Sequence, residues 1–588
     1  MKLYKLSLAL FLGFGAMSMT SCEDKLEVTN PNEQTTGTFG FTSDDLEECV
    51  IAAYHDLRME GSTGRVGYTI DAVRGDEVWN SSQVWYMPFD DMNDPVTDGI
   101  SFWPWREYYY AINVCNFILS RTTGDNAQLS ESMKRIKGQA LFIRGFAYYN
   151  LVGYYKDVPL ITDYSTYSSL DGLYGANNTS DEVLDQAEKD LKEAMELLPN
   201  RQAGGEWAKG RATCGAAAGY YARTLMFRHK YSEALEVLKD IIGGTKYGKY
   251  KLMANYGDNF REGSAYENND ESLFEVQYLD YGTQGVDDEW TPVNVSPNAT
   301  QGHAVESNFA PGDFGGWADL SASPWLYNLF KEERTTAGKL DPRLYWTLGT
   351  YEKEWEGFEN GNVAYTKKIT ATDTLRTNNN YGGIPIAKWT NMRTGLYSSV
   401  ATGLRCGINL RMMRYSDVLL RAAECENEVN GPTEQAIKWI NEVRQRAGLA
   451  DLKLEDFNTK DKLFEQIANV ERPKEFGCEN GRGMDLIRWG FFYDNGRLDQ
   501  LKEHGTFYKS KTIDVKTPVT YAQTKTDPEH VKSSYDTYLP GHEFLPIFQT
   551  LLNNNPNLKG NSANEGIDNS TDFFGRGWTV HPVVDLSK

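Results

Sequence analysis

Residues 138–160 read GQALFIRGFAYYNLVGYYKDVPL, a run of small, apolar and aromatic residues with a clear helical period. The period begins a little earlier, near Met133, and repeats at steps of three and four residues. Its apolar face consists of Ile136, Ala140, Ile143, Ala147 and Leu151. This spacing predicts one long helix, from about Met133 to Tyr155, that packs one face against a neighbour.

Similar periods on both sides of this run predict further helices. Thr179 and Glu182 form a capping box, which predicts the start of a helix that ends before Pro199. The other predicted helices are Ser43 (as the cap) to Leu57, Trp103–Leu119, Arg211–Phe227, Tyr231–Ile242, Arg414–Val429, Thr433–Ala447 and Lys462–Glu475. Successive helical pairs of this length are typical of tetratricopeptide-like arrays, although the stereotyped repeat residues are poorly matched. The predicted fold is therefore mainly α, a tetratricopeptide-like scaffold of helical pairs.

The N-terminus has the three parts of a lipoprotein leader. Lys2 and Lys5 precede an apolar stretch, residues 6–19, and small residues then lead to Cys22. The apolar stretch is too short to span a bilayer. We expect residues 1–21 to be a signal peptide and Cys22 to carry the lipid anchor. The alternative is an ordinary signal peptide in which this cysteine is incidental.

The remaining chain divides by composition. Residues 22–38 are polar and predict a tether between the lipid and a single domain, residues 39–588. Helical periods fill residues 39–278 and return in residues 411–588. Between them, residues 279–410 are rich in Gly, Asn, Pro, Thr and Trp. Long loops in a compact domain are usually functional, so we expect this loop-rich insert to carry the binding face.

Charge and aromatic content limit the class of ligand. The formal charge of -22 argues against a nucleic acid partner, which requires clustered Lys and Arg. Aromatic residues make up 13% of the chain, including 14 Trp and 35 Tyr. Flat aromatic faces cover the apolar patches of sugar rings, so this composition suits glycan binding. The alternative is that most of these rings belong to the core.

Two features bear on metals. The six cysteines after Cys22 are widely spaced and contain no C-x-x-C, so we expect no metal held by sulfur and no dense disulfide framework; Cys115, Cys214 and Cys425 lie in helical patterns and are expected to be buried. A loop also contains four acidic residues, Asp90, Asp91, Asp94 and Asp98. Structural calcium there is one interpretation, although the loop lacks the twelve-residue calcium pattern. A solvated acidic loop is the preferred one, and no cofactor is expected.

Motifs spread over the whole chain are shared with a known family. They are Ala53–Leu57, Trp105–Tyr109 with Ile112 and Asn116, residues 138–160, Asp341-Pro342-Arg343, RYSDVLLRAAECEN from Arg414, INEVRQRAGL from Ile440, Glu471-Arg472 with Glu475-Phe476, GRGMDLIRWG from Gly481 and LPIFQTLLNNNPNL at 545–558. These motifs resemble the SusD/RagB outer-membrane lipoproteins of Bacteroidetes-type bacteria. The chain departs from the family pattern at residues 476–480 and at Phe548, where the family often has proline.

The resemblance implies a function and a location. Members of this family bind nutrients, mostly glycans, beside a TonB-dependent (SusC-like) transporter, and we expect this chain to be a noncatalytic binding protein. By the same resemblance, the lipid would hold this chain on the outer face of the outer membrane. The protein would capture oligosaccharides there and deliver them to the transporter. A strong match of fold says little about which glycan is bound.

The resemblance also indicates where a ligand would bind. It implies one shared face, made by the segment 71–102 and by the insert. The candidate side chains of the first segment are Asp76, Trp79, Asn80, Trp85 and Tyr86. Those of the insert are Trp290, Trp317, Tyr381, Trp389 and Arg393. Rings would stack on sugars and polar groups would bind hydroxyls, whereas the alternative for each residue is a place in the core.

Four arginines in the shared motifs are interpreted as structural. Arginine is rarely buried without a partner, so we expect Arg144, Arg472, Arg482 and Arg488 to be buried beside carboxylates. The expected partners are Glu424, Glu471 and Asp485.

Two other classes of function stay open on the sequence. A surface glycoside hydrolase needs two carboxylates roughly 5 to 9.5 Å apart across a cleft, and the 82 Asp and Glu residues do not exclude such a pair. The chain contains no H-E-x-x-H, G-x-S-x-G or G-x-G-x-x-G motif to support it. A peptide-binding or scaffold subunit of the transporter complex would use the same helical frame.

Overall fold

The computed structural model describes residues 42–279, 302–355, 374–376, 383–393, 404–508, 512–514 and 531–587, apart from residues 82, 98, 170, 171 and 173. The fold is mainly helical, which confirms the predicted class. Long helices form its scaffold: α1 Ser43–Leu57, α2 Trp103–Arg121, α3 Glu131–Tyr155, α4 Ser180–Leu197, α5 Cys214–Phe227, α6 Tyr231–Gly243, α7 Tyr415–Asn430 and α8 Glu434–Arg446. No helix within these ranges is long and apolar enough to cross a membrane.

The scaffold helices pack in the order in which they occur along the chain. Each contacts the next, from α1 against α2 through to α7 against α8. The contact of α6 with α7 joins two parts of the chain that the insert separates in sequence. A row of helices in which each packs on its neighbour is the arrangement expected of a tetratricopeptide-like array.

Helix α3 lies at the centre of the row and is buried along almost its whole length. Two of its glycines permit this close packing. A Cβ on Gly145 would lie 2.8 Å from Leu191 of α4, and one on Gly153 would lie 2.6 Å from Met484. Residues 138–160 are therefore constrained on several sides at once, which explains why a central helix needs small residues there.

The helix caps agree in part with the predictions. Thr179 and Glu182 form the predicted capping box at the start of α4. At α1 the prediction of Ser43 as the cap is wrong, because Thr42 occupies that position and its side chain accepts a hydrogen bond from the backbone N–H of Asp45. The carboxylate of Asp45 binds the N–H of Thr42 in return, so this helix also begins with a capping box.

Shorter helices and four two-stranded antiparallel sheets complete the described part of the chain. The strands are β1 Val78–Asn80, β2 Ser272–Val276, β3 Leu320–Ala322, β4 Thr374–Arg376, β5 Leu410–Arg414, β6 Thr506–Tyr508, β7 Thr512–Asp514 and β8 Val531–Ser533. They pair as β1 with β3, β2 with β5, β4 with β7 and β6 with β8. The shorter α-helices are Arg65–Val73, Met87–Asp90, Arg201–Gly204, Val305–Phe309, Pro324–Lys331, Pro342–Thr347, Lys460–Gln466, Arg472–Phe476, Arg482–Arg488, Asn495–His504, Gln549–Asn554, Ser562–Glu565 and Ser570–Gly575.

The predicted helix Lys462–Glu475 contains an irregularity. A π-helical turn, Ile467–Glu471, joins the helices on either side of it. Pro473 follows directly and has no N–H to donate within the helix. A wider turn before a proline is a common way to accommodate the lost hydrogen bond.

The insert is less irregular than its composition predicts. Its described residues include three short α-helices and strands β3 and β4. Several apolar side chains of the helices are fully buried, among them Phe309, Leu326 and Leu344. The loop-rich insert as a whole stays a prediction, but these short elements were not predicted, because a helix of one or two turns shows no clear period in the sequence.

A network of buried ion pairs joins the two halves of the scaffold. The carboxylate of Asp417 on α7 receives Arg223 of α5 at 2.8 Å and Arg472 at 2.9 Å. Arg472 also binds Asp485, 2.6 Å away. Arg421 lies between the same two carboxylates. The arginines hold the pKa of Asp417 well below its ordinary value, against the effect of burial.

The four arginines interpreted as structural are all buried and paired, as predicted, but several partners differ. Arg488 binds Glu424 and Asp485 as expected. Arg144 instead binds Asp190, and Arg482 binds Asp76. Glu471 binds Arg444 rather than any of the four.

Cys115, Cys214 and Cys425 are buried, as predicted, and the other cysteines of the described chain are buried too. Cys49, Cys115, Cys214, Cys406, Cys425 and Cys478 are buried free thiols. Burial raises the pKa of Cys214 to about 11. A thiol that stays protonated is a poor nucleophile and a poor metal ligand, which agrees with a packing role.

Replacement of Asp417 by Asn tests the ion-pair network. The change leaves Arg223, Arg421 and Arg472 buried beside a neutral amide, so the free energy of unfolding should fall by about 3 to 5 kcal/mol. Urea denaturation measures this. The exposed pair of Lys453 and Glu455 supplies the control: Glu455→Gln should leave the midpoint unchanged. A small effect of Asp417→Asn would show that the network is dispensable for stability.

The C-terminal segment is held by a histidine between two carboxylates. The ring nitrogens of His581 lie 2.6 Å from Asp461 and 2.6 Å from Glu428. The ring stacks on Phe464, and Arg497 binds the carbonyl of His581. Burial opposes protonation of this ring, but the two carboxylates outweigh it and raise the pKa of His581.

This arrangement predicts a pH dependence. Because the folded pKa lies above the unfolded value of about 6.5, the stabilisation is full below that pH and is lost as the pH rises through the folded pKa. The difference in melting temperature between wild type and His581→Gln should be larger at about pH 5.5 than at about pH 9. His229→Gln should show the opposite trend, since burial lowers the pKa of His229 to about 4. A pH-independent difference for His581→Gln would contradict the assigned charge.

Candidate aromatic binding face

Strands β1 and β3 bring the first predicted segment against the insert. Val78 pairs with Ala322, and Asn80 pairs with Leu320. The contact continues past the strands, because the N–H of Ser81 binds the carbonyl of Asp319 at 2.7 Å. The two regions named from the sequence are therefore neighbours in the fold.

The turn after β1 presents apolar side chains to solvent. Asn80 shapes it by binding the backbone of Gln83 in both directions, at 2.7 and 2.9 Å. Val84, Trp85 and Met87 are then exposed, with 38% of the Trp85 surface accessible. Exposed large apolar side chains that lie close together are characteristic of binding surfaces.

Tyr86 anchors this turn from below. Its ring is buried, and its hydroxyl accepts hydrogen bonds from Thr69 and from Asn308, each at 3.0 Å. Asn308 belongs to the short helix Val305–Phe309 of the insert. A single phenol therefore ties the exposed turn to the insert, and burial raises its pKa, so it stays neutral.

Trp317 is held by a tight turn that follows the same helix. Its N–H binds the carbonyl of Ser307 at 2.6 Å, and the N–H of Ala318 binds the carbonyl of Ala310 at 2.9 Å. Gly315 has φ 80° and Ala318 has φ 51°. A left-handed alanine is uncommon and persists only where neighbouring contacts enforce it.

The Trp317 side chain is half-buried, and the guanidinium of Arg65 lies 5.5 Å from the centre of its ring. Arg65 also pairs with Glu60 at 3.2 Å. A cation on one side of an indole fixes the orientation of the ring. The side chain then loses less conformational entropy when a ligand binds. We call Val84, Trp85, Met87, Trp317 and Arg65 the aromatic face.

Two of the predicted ligand residues are instead part of the core. Trp79 is 1% exposed and stacks on Phe507 with ring centres 4.0 Å apart. Asp76 is fully buried, binds Arg482 through both oxygens at 2.7 and 2.8 Å, and lies 2.8 Å from His504. Burial alone would raise the pKa of Asp76, but Arg482 lowers it well below the ordinary value. The predictions for both are wrong because residues 76–80 are all buried, so neither side chain is accessible to a ligand.

Four other candidates also have structural roles. Asn80 shapes the exposed turn and Tyr86 anchors it, as described above. Trp389 is fully buried, edge-to-face with Tyr68 and Phe260. Arg393 donates to the carbonyls of Tyr345 and Leu348 at 3.0 and 2.9 Å. The structure contradicts direct ligand contact by these side chains, because their rings or polar groups are buried and directed to protein partners.

The remaining candidates divide into two groups. Trp85 and Trp317 are accessible and stay predictions. Trp290, Tyr381 and the predicted lipid acceptor Cys22 lie outside the described residues.

The acidic loop is not solvated in the way the sequence suggests. Asp90 is buried and accepts a hydrogen bond from the N–H of Asn80, and burial raises its pKa to about 8. Asp94 is buried against Arg74 at 2.7 Å. Asp98 lies outside the described residues. Within the residues that the structure describes, no cluster of His, Cys, Asp or Glu is arranged to hold a metal ion.

Three residues of the aromatic face were not predicted from the sequence. Val84 and Met87 flank Trp85 in the run VWYM, and apolar residues around an aromatic residue in an otherwise polar loop are the signal that would have indicated them. Arg65 left no such signal, because only the fold brings it to Trp317.

Comparison with known proteins places this fold. The SusD family model matches residues 270–566, about half of the chain, and a second model, described as starch-binding associating with outer membrane, matches residues 24–226. The chain belongs to the SusD family. Among curated relatives, SusD-like protein P25 of Formosa agariphila is 26% identical over 530 residues, which cover 84% of this chain and 91% of that protein.

Solved structures share the fold of this SusD family member. A SusD superfamily protein from Bacteroides vulgatus has a TM-score of 0.67 at 23% identity, covering 90% of this chain and 100% of that one. Surface glycan-binding protein A from Bacteroides thetaiotaomicron, in complex with laminarihexaose, has a TM-score of 0.62 at 21% identity, covering 88% and 99%. At these identities the likeness establishes the fold.

Gly316→Ala tests how the SusD family member holds Trp317. A Cβ on Gly316 would lie 2.0 Å from the carbonyl oxygen of Ala310, so the turn must move. We expect a loss of about 1 to 3 kcal/mol in the free energy of unfolding and a changed near-ultraviolet spectrum. The control is Gly99→Ala, since a Cβ there meets nothing within 4 Å. Equal stability of the two variants would contradict this account of the turn.

Proposed function

We propose that this SusD family member is a noncatalytic glycan-binding protein. The observation that carries the proposal is the aromatic face, where Trp85 and Trp317 are accessible on two segments that hydrogen bonds join. An indole covers the apolar C–H face of a pyranose ring, and the polar groups nearby bind hydroxyls. Neutral saccharides also suit a chain whose formal charge is -22.

Two similar proteins support the choice of ligand. One of the solved structures of the same fold is titled as a complex with laminarihexaose, and another as a laminarin-binding SusD-like protein. These descriptions belong to those proteins. They make an oligosaccharide the first ligand to test here, without indicating its linkage or length.

We further propose that capture takes place at the outer membrane. The predicted lipid at Cys22 would anchor the protein on the cell surface, and the resemblance implies delivery of the bound glycan to a SusC-like TonB-dependent transporter. The family model described as associating with outer membrane supports this location. In this arrangement the protein holds the glycan intact and the transporter takes it across.

Isothermal titration of the chain without residues 1–22, against plant, microbial and mucin polysaccharides, tests the proposal. Chromatography of the ligand after each titration shows whether it stays intact. Saturable binding of an intact glycan is the expected result. Cleaved products would indicate a glycoside hydrolase. Absence of binding to every polysaccharide tested would favour a peptide ligand or a scaffold role.

Replacement of the two indoles tests the site itself. Trp85→Ala and Trp317→Ala should each weaken glycan binding by about 1 to 3 kcal/mol, the range for a base stacked on an aromatic ring. Tyr110→Ala is the matched control, because Tyr110 on α2 is also exposed (45%) but is not part of the aromatic face. Unchanged affinity of both folded tryptophan variants would exclude the aromatic face as the binding site.

A further inference from the structure

A cleft that shares no residue with the aromatic face lies between α1 and strand β2. Its volume is about 350 Å³, and it is lined by the last turns of α1, by residues 209–211 and by residues 274–277. The cleft is open to solvent and large enough for a sugar ring.

The charge of this cleft is opposite to that of the chain. Arg58, Lys209 and Arg211 line it, in a protein with a formal charge of -22. Among the described lining residues the one carboxylate is Glu275, which is buried and pairs with Arg411 at 3.2 Å. The charge of Glu275 is therefore already balanced by an arginine that does not line the cleft.

Two of the three cations have carboxylates at the rim. Lys209 lies 2.7 Å from Glu206, and Arg211 pairs with Glu47. The Lys209 pair is largely exposed, with 61% and 87% of its side chains accessible, so it is screened and contributes little. Lys209 is thus able to exchange Glu206 for a ligand anion, whereas Arg211 is less exposed and also donates a hydrogen bond to Gln139 at 3.1 Å.

Arg58 differs from both, because no carboxylate of the described chain forms an ion pair with it. Its Nε and Nη2 atoms are buried and have no hydrogen-bond partner, and its guanidinium lies 5.4 Å from the ring centre of Tyr278. Buried donors of a charged group that remain unpaired are costly. Arg58 itself lines the cleft, so a small rotation of its side chain would bring these donors to an anion bound there, and a guanidinium pairs readily with carboxylate or sulfate oxygens.

We propose that this cleft is an anion subsite, which binds a carboxylate or sulfate group of an acidic saccharide through Arg58, Lys209 and Arg211. That the anion belongs to a saccharide rests on the proposed function, whereas the anion chemistry rests on the cleft alone. Among the apolar residues that line the cleft, Ile51 is 56% exposed and offers surface to a sugar ring beside the charge, whereas Leu57 and Phe274 are buried.

Calorimetric titration with three matched ligands tests this subsite. They are a galacturonic acid trisaccharide, a sulfated galactose trisaccharide and the neutral galactose trisaccharide, and the first two distinguish carboxylate from sulfate. Inorganic sulfate, compared with chloride at equal ionic strength by thermal shift, tests the anion without a sugar. The variants are Arg58→Met and, in case that one folds poorly, Lys209→Met.

Arg121→Met is the matched control. Arg121 is exposed at the end of α2, and its guanidinium also lies 5.4 Å from a ring centre, that of Phe117, but it does not line the cleft. We expect Arg58→Met and Lys209→Met to weaken binding of an acidic trisaccharide by about tenfold or more, the loss of one charge-assisted hydrogen bond. Arg121→Met should have no effect, and added salt should weaken wild-type binding.

The outcomes separate this inference from the proposed function. If Arg58→Met and Lys209→Met bind the acidic trisaccharides as wild type does while Trp317→Ala does not, the subsite is wrong and glycan binding stands. If no saccharide binds but sulfate stabilises wild type and not Arg58→Met, the anion subsite stands and the proposed function fails. If neither acidic trisaccharides nor sulfate distinguish the variants from wild type, the inference is overturned.

Discussion

The burial of charge between the helices is the constraint on which the architecture depends. Asp417 and Asp485 lie among four arginines that come from α5, α7 and the helices after the π-turn. Each charge would be costly inside the protein alone, and each is tolerable because its partner is present. The network can form only when both halves of the scaffold are in place, so it couples segments that are nearly 200 residues apart in sequence.

Paired buried charges also support the residues beneath the aromatic face. Arg482 and His504 hold Asp76 just before β1, and Trp79 within β1 stacks on Phe507. The strand is fully buried, and these contacts hold it in place. Because β1 pairs with β3, the turn that holds Trp317 is also held in place. Buried charges and rings support the accessible tryptophans, which lowers the entropy lost when a ligand binds.

The two proposed sites would bind their ligands through different interactions. The aromatic face offers flat apolar surface and suits neutral sugar rings, whereas the cleft beside α1 offers cationic side chains. The cleft is notable because the chain as a whole is acidic, so long-range attraction does not favour anions. An anion would be held there by short-range pairing with Arg58, which no carboxylate of the described chain neutralises.

Local patterns in the sequence were sufficient for the helices, because a helix depends on residues three and four positions apart and on its own caps. The capping box of Thr179 and the apolar face of residues 133–155 are of this kind. They failed in the insert, where the helices are one or two turns long and leave no measurable period. Local patterns also did not identify the partners of Arg144 and Arg482. Only the fold brings one carboxylate close to each arginine, and the sequence gives no reason to prefer it over others far away in the chain.

The binding face shows the same limit, because the sequence does not distinguish Trp79, Trp85, Trp317 and Trp389 from one another. Only the pairing of β1 with β3 and the packing behind it bury two of these indoles and leave two accessible.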